Sequence, residues 1–434
     1  MNPRDGVTWL HPSRRPYRFV ILIVVCFVIY GSYFAYDSVG AIEDFLMDSM
    51  RIGQEDIGLM YSMYSWGAIF TLLAAGWLID RIGTRRSSML FAATVTVGAV
   101  IVAWASSVRT IHIGRFVFGA GSEALIVAQS AILARWFKGK ELALAFGVSL
   151  TICRLGTMFS FNTEALIAER MGPSAALWVA AGLCAVSVIA NFIYFLMDRW
   201  AEPVLALDEK TAGDRIVWGD ILKFRASYWY IALLCLCFYS AIFPFTALST
   251  NFFHEKWGLP LAMGSAEGFF AAVFQNFRYM FSTAPGTTSI LVAMSMVFAP
   301  FAGALVDRIG RRASMMIFGS ALMIPCYLAL AYTHLSPAMV MVVLGMAFVL
   351  VPAALWPAVP LIVSRGRLGT AFGVMTLIQN VGLMLFPWLN GWLRERTETY
   401  SASMLMFAGL GVAALVFAVL LRSVDRRDRI LEAP

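Results

Sequence analysis

Charged residues are scarce in this sequence. Asp, Glu, Lys and Arg make up 14% of its 434 residues, where soluble domains carry about 25%. Hydrophobic residues make up 60% and the mean hydropathy is +0.75. This excludes a water-soluble fold, which has too little interior to hide so much apolar surface. Histidine is sparse too: the four residues, His11, His112, His254 and His334, all lie outside the centres of the long apolar runs. With no H-E-x-x-H and no G-x-S-x-G, an enzyme is not expected. The six cysteines (Cys26, Cys153, Cys184, Cys235, Cys237, Cys326) lie inside apolar runs and read as small buried hydrophobes. Neither a disulfide framework nor a metal site is expected. Nor is a cofactor: "GAGSEA" at 119–124 lacks the preceding strand of a dinucleotide fold.

What the chain does have is long apolar runs. About 20 apolar residues cross a bilayer as a helix. Such runs occur at 19–40, 57–80, 87–106, 112–134, 141–165 and 174–197, and again at 228–250, 288–306, 313–333, 337–363, 368–392 and 402–421. An all-α membrane protein with twelve transmembrane helices is expected. Its parts are a tail at 1–18, a six-helix bundle at 19–197, a linker at 198–226, a second bundle at 227–421 and a tail at 422–434. The run after "SRRPYRF" at 13–19 is too long for a cleaved signal and reads as a retained helix.

Basic residues set the orientation. With both termini cytoplasmic, 24 of the 33 Lys and Arg residues fall on the cytoplasmic side and seven opposite, while Arg115 and Arg154 lie within helices. This bias accounts for the net charge of +7 without a nucleic-acid partner. Arg115, one turn into its helix, is expected to be structural.

The two bundles repeat. "GWLIDRIGTRR" at 76–86 matches "GALVDRIGRR" at 303–312, and "LALAFGV" at 142–148 matches "LGTAFGV" at 368–374, at nearly one offset. Gly76 and Gly303 are expected to permit close helix approach. Asp80 and Asp307, at helix C-termini where the dipole disfavours negative charge, need partners; Arg135 and Arg365 are the candidates. The duplicated G-x-x-x-D-R-x-G motif resembles the signature of the major facilitator superfamily. The resemblance implies alternating access to a midplane site between two bundles, with Asp80, Arg81, Arg135, Asp307, Arg308 and Arg365 as gate residues.

Two in-span charges bear on function. Glu123, in "FGAGSEALIVAQSAIL", lies about 12 residues from the cytoplasmic end of its helix, or roughly 18 Å; Arg154, in "LTICRLG", lies about 13 residues in, or roughly 19.5 Å. At such depth each needs a cavity or a partner. A structural ion pair between adjacent helices is one reading. A cavity lined by both is the other: a substrate amine for Glu123 and a carboxylate for Arg154, the two pairing in one state and parting around a zwitterion in another. Gln129, Asn162, Gln379 and Asn380, and the aromatics Tyr30, Tyr33, Tyr64, Trp66, Tyr239 and Trp356, are further candidates.

The blocks "GRFVFGAGSEALIVAQ", "WFKGKELALAFGVSLTICRLGT", "FYSAIFPFTALSTNFFHEKWG", "ALWPAVP" and "LGTAFGVMTLIQNVGL" resemble the lysosomal dipeptide uniporter family. That family's midplane acid and arginine match Glu123 and Arg154, and its ALWP tryptophan matches Trp356. A uniporter of dipeptides is implied, with Tyr33, Gln379 and Asn380 as further substrate contacts. The alternatives are proton-coupled carriage of another carboxylate-bearing solute and a non-transporting sensor or scaffold. A monomer in the lipid bilayer is expected, in a bacterial inner membrane, or a lysosomal membrane in a eukaryote. The outer segment at about 251–287 is long, and "EGFFAAVFQNFRYMF" at 267–281 has the pattern of a helix lying on the membrane.

Overall fold

The computed structural model describes residues 11, 12, 14–137, 141–205, 218–221, 223–364, 367–428 and 430–432. Among them every regular element is a helix, which closes all its hydrogen bonds within one segment, as lipid requires. The first half contains α1 (Arg15–Ala41), the short α2 (Glu43–Met50), α3 (Gln54–Ile82), α4 (Thr84–Ala103), α5 (Val108–Phe137), α6 (Leu142–Met171) and α7 (Pro173–Leu205). The second contains α8 (Ala226–Ala247), α9 (Ser249–Trp257), α10 (Phe269–Arg278), α11 (Ala284–Ile309), α12 (Arg312–Tyr332), α13 (Pro337–Ile362), α14 (Leu368–Thr397) and α15 (Ser401–Asp428). Twelve of these are long and apolar enough to span a membrane, and they coincide with the twelve runs read from the sequence. Helix α7 runs on to Leu205, so the first eight residues of the 198–226 segment are helical.

Turn chemistry places the helix ends. Proline occupies the first turn of α1, α11 and α13, where its missing N–H is no loss. Thr283 caps α11, its hydroxyl accepting the Gly286 N–H at 3.2 Å. The two D-R-I-G repeats each place their glycine at positive φ, in different turns: ψ is 159° at Gly83 and −16° at Gly310. Gly83 breaks α3 from α4 at φ 81°, and Gly310 ends α11 at φ 70°. A side chain is disfavoured at both, so each glycine is set by its turn.

Packing follows the duplication. One buried apolar cluster is built wholly from residues of the second half; two others belong to the first, with only Ala247 and Leu248 reaching across. Close approach within the first half is made by Gly67, Gly98, Gly119 and Gly121; a Cβ on Gly119 would lie 1.9 Å from the Tyr64 carbonyl. Gly303, expected to play this part, has open space beside it.

Helices α1 and α15 respectively begin and end on one face, here the terminal side. On the opposite, far side, the halves interlock. Gly58 abuts the Pro387 carbonyl and Gly391 the Gln54 carbonyl. Trp388 donates to Glu55 Oε1 at 2.9 Å, and Glu395 accepts the Glu55 N–H at 2.9 Å. The amphipathic segment is helix α10, but it does not simply lie on the membrane. Phe270 and Phe274 are exposed; its other face docks on α6 of the opposite half, where Asn276 donates to the Asn162 carbonyl at 2.7 Å and Phe277 meets Phe159. Arg170 of α6 donates to the Gly264 carbonyl in the same segment.

Candidate functional site

Between the halves lies a cavity of about 340 Å³, lined from α1, α3, α5 and α6 on one side and α8, α11, α13 and α14 on the other. Its far-side wall is sealed: Phe161 and Leu291 are buried. Toward the terminal side Leu150 is 48% exposed. With the halves interlocked on the far side, that side is closed in this conformer.

Glu123 and Arg154 both line this cavity, as do Tyr33, Trp356 and Gln379. Direct pairing of acid and arginine, one of the two arrangements open from the sequence, is not made: each has its own partner. Glu123 Oε1 accepts the Tyr64 hydroxyl at 3.0 Å, and Tyr64 also lies 3.1 Å from the Ser122 hydroxyl, which bonds Ser32 at 2.6 Å. The near-contact of Gly119 with Tyr64 brings α3 close enough for this chain. Arg154 donates to the Ser295 hydroxyl of α11 at 2.5 Å and lies over the Phe348 ring at 4.6 Å. An acid from the first half and an arginine reaching the second thus share one water-accessible space.

Aromatic side chains line the cavity from both halves, Tyr33, Tyr36 and Tyr64 facing Tyr239, Phe243 and Trp356. Trp356 Nε1 donates to the Tyr239 hydroxyl at 2.9 Å, and Tyr239 stacks on Phe243. Tyr64 is a lining residue, as is Tyr239. Asn380, expected beside Gln379, is turned away: it is 1% exposed and donates to the Thr376 carbonyl of its own helix at 3.1 Å. One residue along a helix is about 100° of rotation, enough to move a side chain from cavity to packing. Gln129 and Asn162 likewise bond within the protein, to Val25 and Ser149 and to Ser289.

The sequence reading passed over Asp37, which lines the cavity on α1, and Glu164, fully buried on α6 without a hydrogen-bond partner. Both lie inside the apolar runs, so the rule that singled out Glu123 applied to them equally. Arg115 is more deeply set than expected, 1% exposed, donating to the Met60, Ala35 and Tyr36 carbonyls amid Tyr36, Tyr61, Tyr64 and Phe118. It holds α1, α3 and α5 together.

On the terminal side Arg135 is committed to Asp198 of α7 at 3.1 Å and not to Asp80. Asp198, wholly buried, also bonds Arg85 at 3.2 Å and Trp136 Nε1 at 3.0 Å. The run-on of α7 beyond 197 delivers this carboxylate, which the sequence placed in a linker. Asp80, Arg81 and Arg308 lie exposed on the same face, Arg81 over the Trp77 ring at 5.0 Å. The Asp307 side chain and Arg365 lie outside the described residues.

The six cysteines are all buried and free, and no cluster of potential metal ligands occurs among the described residues.

Comparison with known proteins agrees with this architecture. The sequence profile of the Major Facilitator Superfamily matches residues 21–284 and 280–434. The lysosomal dipeptide transporter MFSD1 of Mus musculus is 33% identical over 98% of this chain and 90% of its own. The protein of the same name from Homo sapiens is 31% identical over 96% and 88%. The probable sulfoacetate transporter SauU of Cupriavidus necator is 21% identical over 95% and 96%. Among solved structures, a point mutant of the nucleoside transporter NupG superposes with a TM-score of 0.70 at 15% identity, covering 93% of this chain and 99% of that one. Twelve spans in two matching halves, a cavity between them and near-full-length relatives lead to one conclusion: this chain is a transporter of the major facilitator superfamily, in the family of the MFSD1 dipeptide transporters.

Proposed function

We propose that the protein carries dipeptides across the membrane by alternating access, as a uniporter. One observation carries the reading: Glu123 and Arg154 face a single cavity without bonding to each other. A dipeptide has a free ammonium at one end and a carboxylate at the other, and bears no net charge of its own. Glu123 takes the ammonium and Arg154 the carboxylate, each by charge-assisted hydrogen bonds. Tyr33, Trp356 and Gln379 bound the space for side chains. A cavity of about 340 Å³ falls within the usual range for small-molecule sites, about 300–1,000 Å³. The names of the MFSD1 relatives point the same way. Asp80, Arg81 and Arg308 then belong to the terminal-side gate, and the terminal side is cytoplasmic by the bias of basic residues.

Asp37 favours a second reading, proton-coupled carriage of another carboxylate-bearing solute, since it gives the cavity a second acid beside one guanidinium. Uptake of a labelled neutral dipeptide into proteoliposomes, with and without a proton gradient, separates the two. Saturable uptake that ignores the gradient and disappears in Arg154→Ala supports uniport. Uptake only with a gradient supports coupling, and no dipeptide uptake removes the substrate assignment.

A further inference from the structure

We propose that the far-side gate contains a proton-binding site, centred on Glu43 with Asp44, Gln54 and Asn251, and that a proton bound there holds the gate closed. The inference concerns the gate and holds for any transported solute.

The site joins the two halves. Glu43, 0% exposed at the start of α2, accepts the backbone N–H of Asn251 at 2.5 Å through Oε1. Asn251 is the third residue of α9, so a carboxyl of the first half caps a helix of the second. Asp44 Oδ1 accepts the Asn251 amide nitrogen at 2.6 Å, and Asn251 Oδ1 accepts the Tyr400 hydroxyl. Opening the gate must break the bonds from Asn251 to Glu43 and Asp44, the two that cross between the halves.

The network is short of donors. Gln54 approaches Glu43 Oε2 only at 3.5 Å, while Gln54 Oε1 and Asp44 Oδ2 are buried acceptors with no partner. Buried polar atoms are nearly always satisfied. Gln54 Nε2 is the side-chain donor to Glu43, and a proton on the carboxyl pair adds the donor that the buried acceptors lack. Gln54 is itself 6% exposed and points into the site.

The neighbouring charges offer no substitute for that proton. On α2 there are Asp44 and Asp48; on α9, His254, Glu255 and Lys256; on α14, Arg394 and Glu395; on α3, Glu55 and Tyr61; and beyond α14, Tyr400. Glu255 is paired with Arg394 at 2.7 Å, and Lys256 donates to the Leu330 and Ala331 carbonyls. Among the described residues no basic side chain bonds Glu43 or Asp44. Burial, and then the adjacent Asp44, push the Glu43 carboxyl well above its ordinary range; burial raises Asp44 too. In the open gate water reaches Glu43 and returns it toward about 4.3. The closed gate therefore binds the proton more tightly. Acid on the far side favours closure, and that contribution is lost as pH rises through the closed-state value. The proton enters and leaves on one side, so it controls the gate without being carried across.

The test is the distance across the far side, by double electron–electron resonance between spin labels on Ser106→Cys and Met339→Cys, both exposed and in opposite halves. In nanodiscs over roughly pH 5 to 8, the closed-to-open ratio should rise as pH falls, by up to about tenfold per unit. Glu43→Gln, which imitates the protonated side chain, should stay closed across the range and lose the response. Gln54→Leu, which removes a donor to the Glu43 carboxylate and leaves Glu43 titratable, should move the midpoint to higher pH. A pH-independent distance in the parent protein overturns the proposal. So does a response that survives Glu43→Gln but is lost in Asp44→Asn, which would put the proton on the other acid.

Discussion

Replacing Asp198 by Ala should be among the most destabilising single changes outside the cavity. Its carboxylate is wholly buried and accepts from Arg85 at 3.2 Å, Arg135 at 3.1 Å and Trp136 at 3.0 Å. Arg85 has a second acid, Glu202, at 2.8 Å; the Arg135 side chain is 4% exposed, and its Nε and Nη2 already lack hydrogen-bond partners. Losing Asp198 therefore strands a buried guanidinium, at a cost of about 3–5 kcal/mol. Glu202→Ala is the matched control. That carboxylate is 39% exposed, so its loss should cost at most about 1 kcal/mol. Asp198→Asn keeps an acceptor for Trp136 and should fall between. The double change Asp198→Ala with Arg135→Met should recover part of the loss, because the stranded charge goes with its partner. Equilibrium unfolding of the purified protein in mixed micelles, followed by tryptophan fluorescence, measures all four. If Asp198→Ala costs no more than Glu202→Ala, or the double variant is no more stable than Asp198→Ala alone, the reasoning about a buried charge hub is wrong.

Further expectations follow from the cavity and the turns. Gly119→Ala places a Cβ 1.9 Å from the Tyr64 carbonyl; α3 and α5 must part, pulling Tyr64 from Glu123, and transport should be lost while Gly147→Ala, beside open space, leaves it intact. Trp356→Phe removes one hydrogen bond to Tyr239 but keeps the ring; at about 0.5–1.5 kcal/mol, KM for transport should rise by about tenfold at most. Gly310→Ala, at φ 70°, should cost about 1–2 kcal/mol of stability through the backbone alone, which thermal unfolding of the variant measures.

Some of this was legible in the sequence because membrane solvent makes composition speak. A run of apolar residues spans the bilayer wherever it occurs, so twelve runs gave twelve helices. A backbone at positive φ favours glycine, so the repeated D-R-I-G puts Gly83 and Gly310 where a helix breaks or ends, though in two different turns. A charge at mid-depth must face water or a partner, so Glu123 and Arg154 stood out before their surroundings were known, and Asp37 and Glu164 met the same criterion.

Pairing between distant helices is another matter. Tyr64 meets Glu123 across 59 residues, Ser295 meets Arg154 across 141, and Asp198 displaces Asp80 as the partner of Arg135 across 63. Glu43 and Asn251 are 208 residues apart and meet only when the two halves close on one another. Gln379 and Asn380 are chemically alike, and only helix rotation sends one to the cavity and the other into packing. Depth and helix type are properties of a local segment, so the sequence determined them; which side chain faces which depends on how whole helices rotate and lean, a sum over contacts far apart in the chain, and the tertiary structure alone decided it.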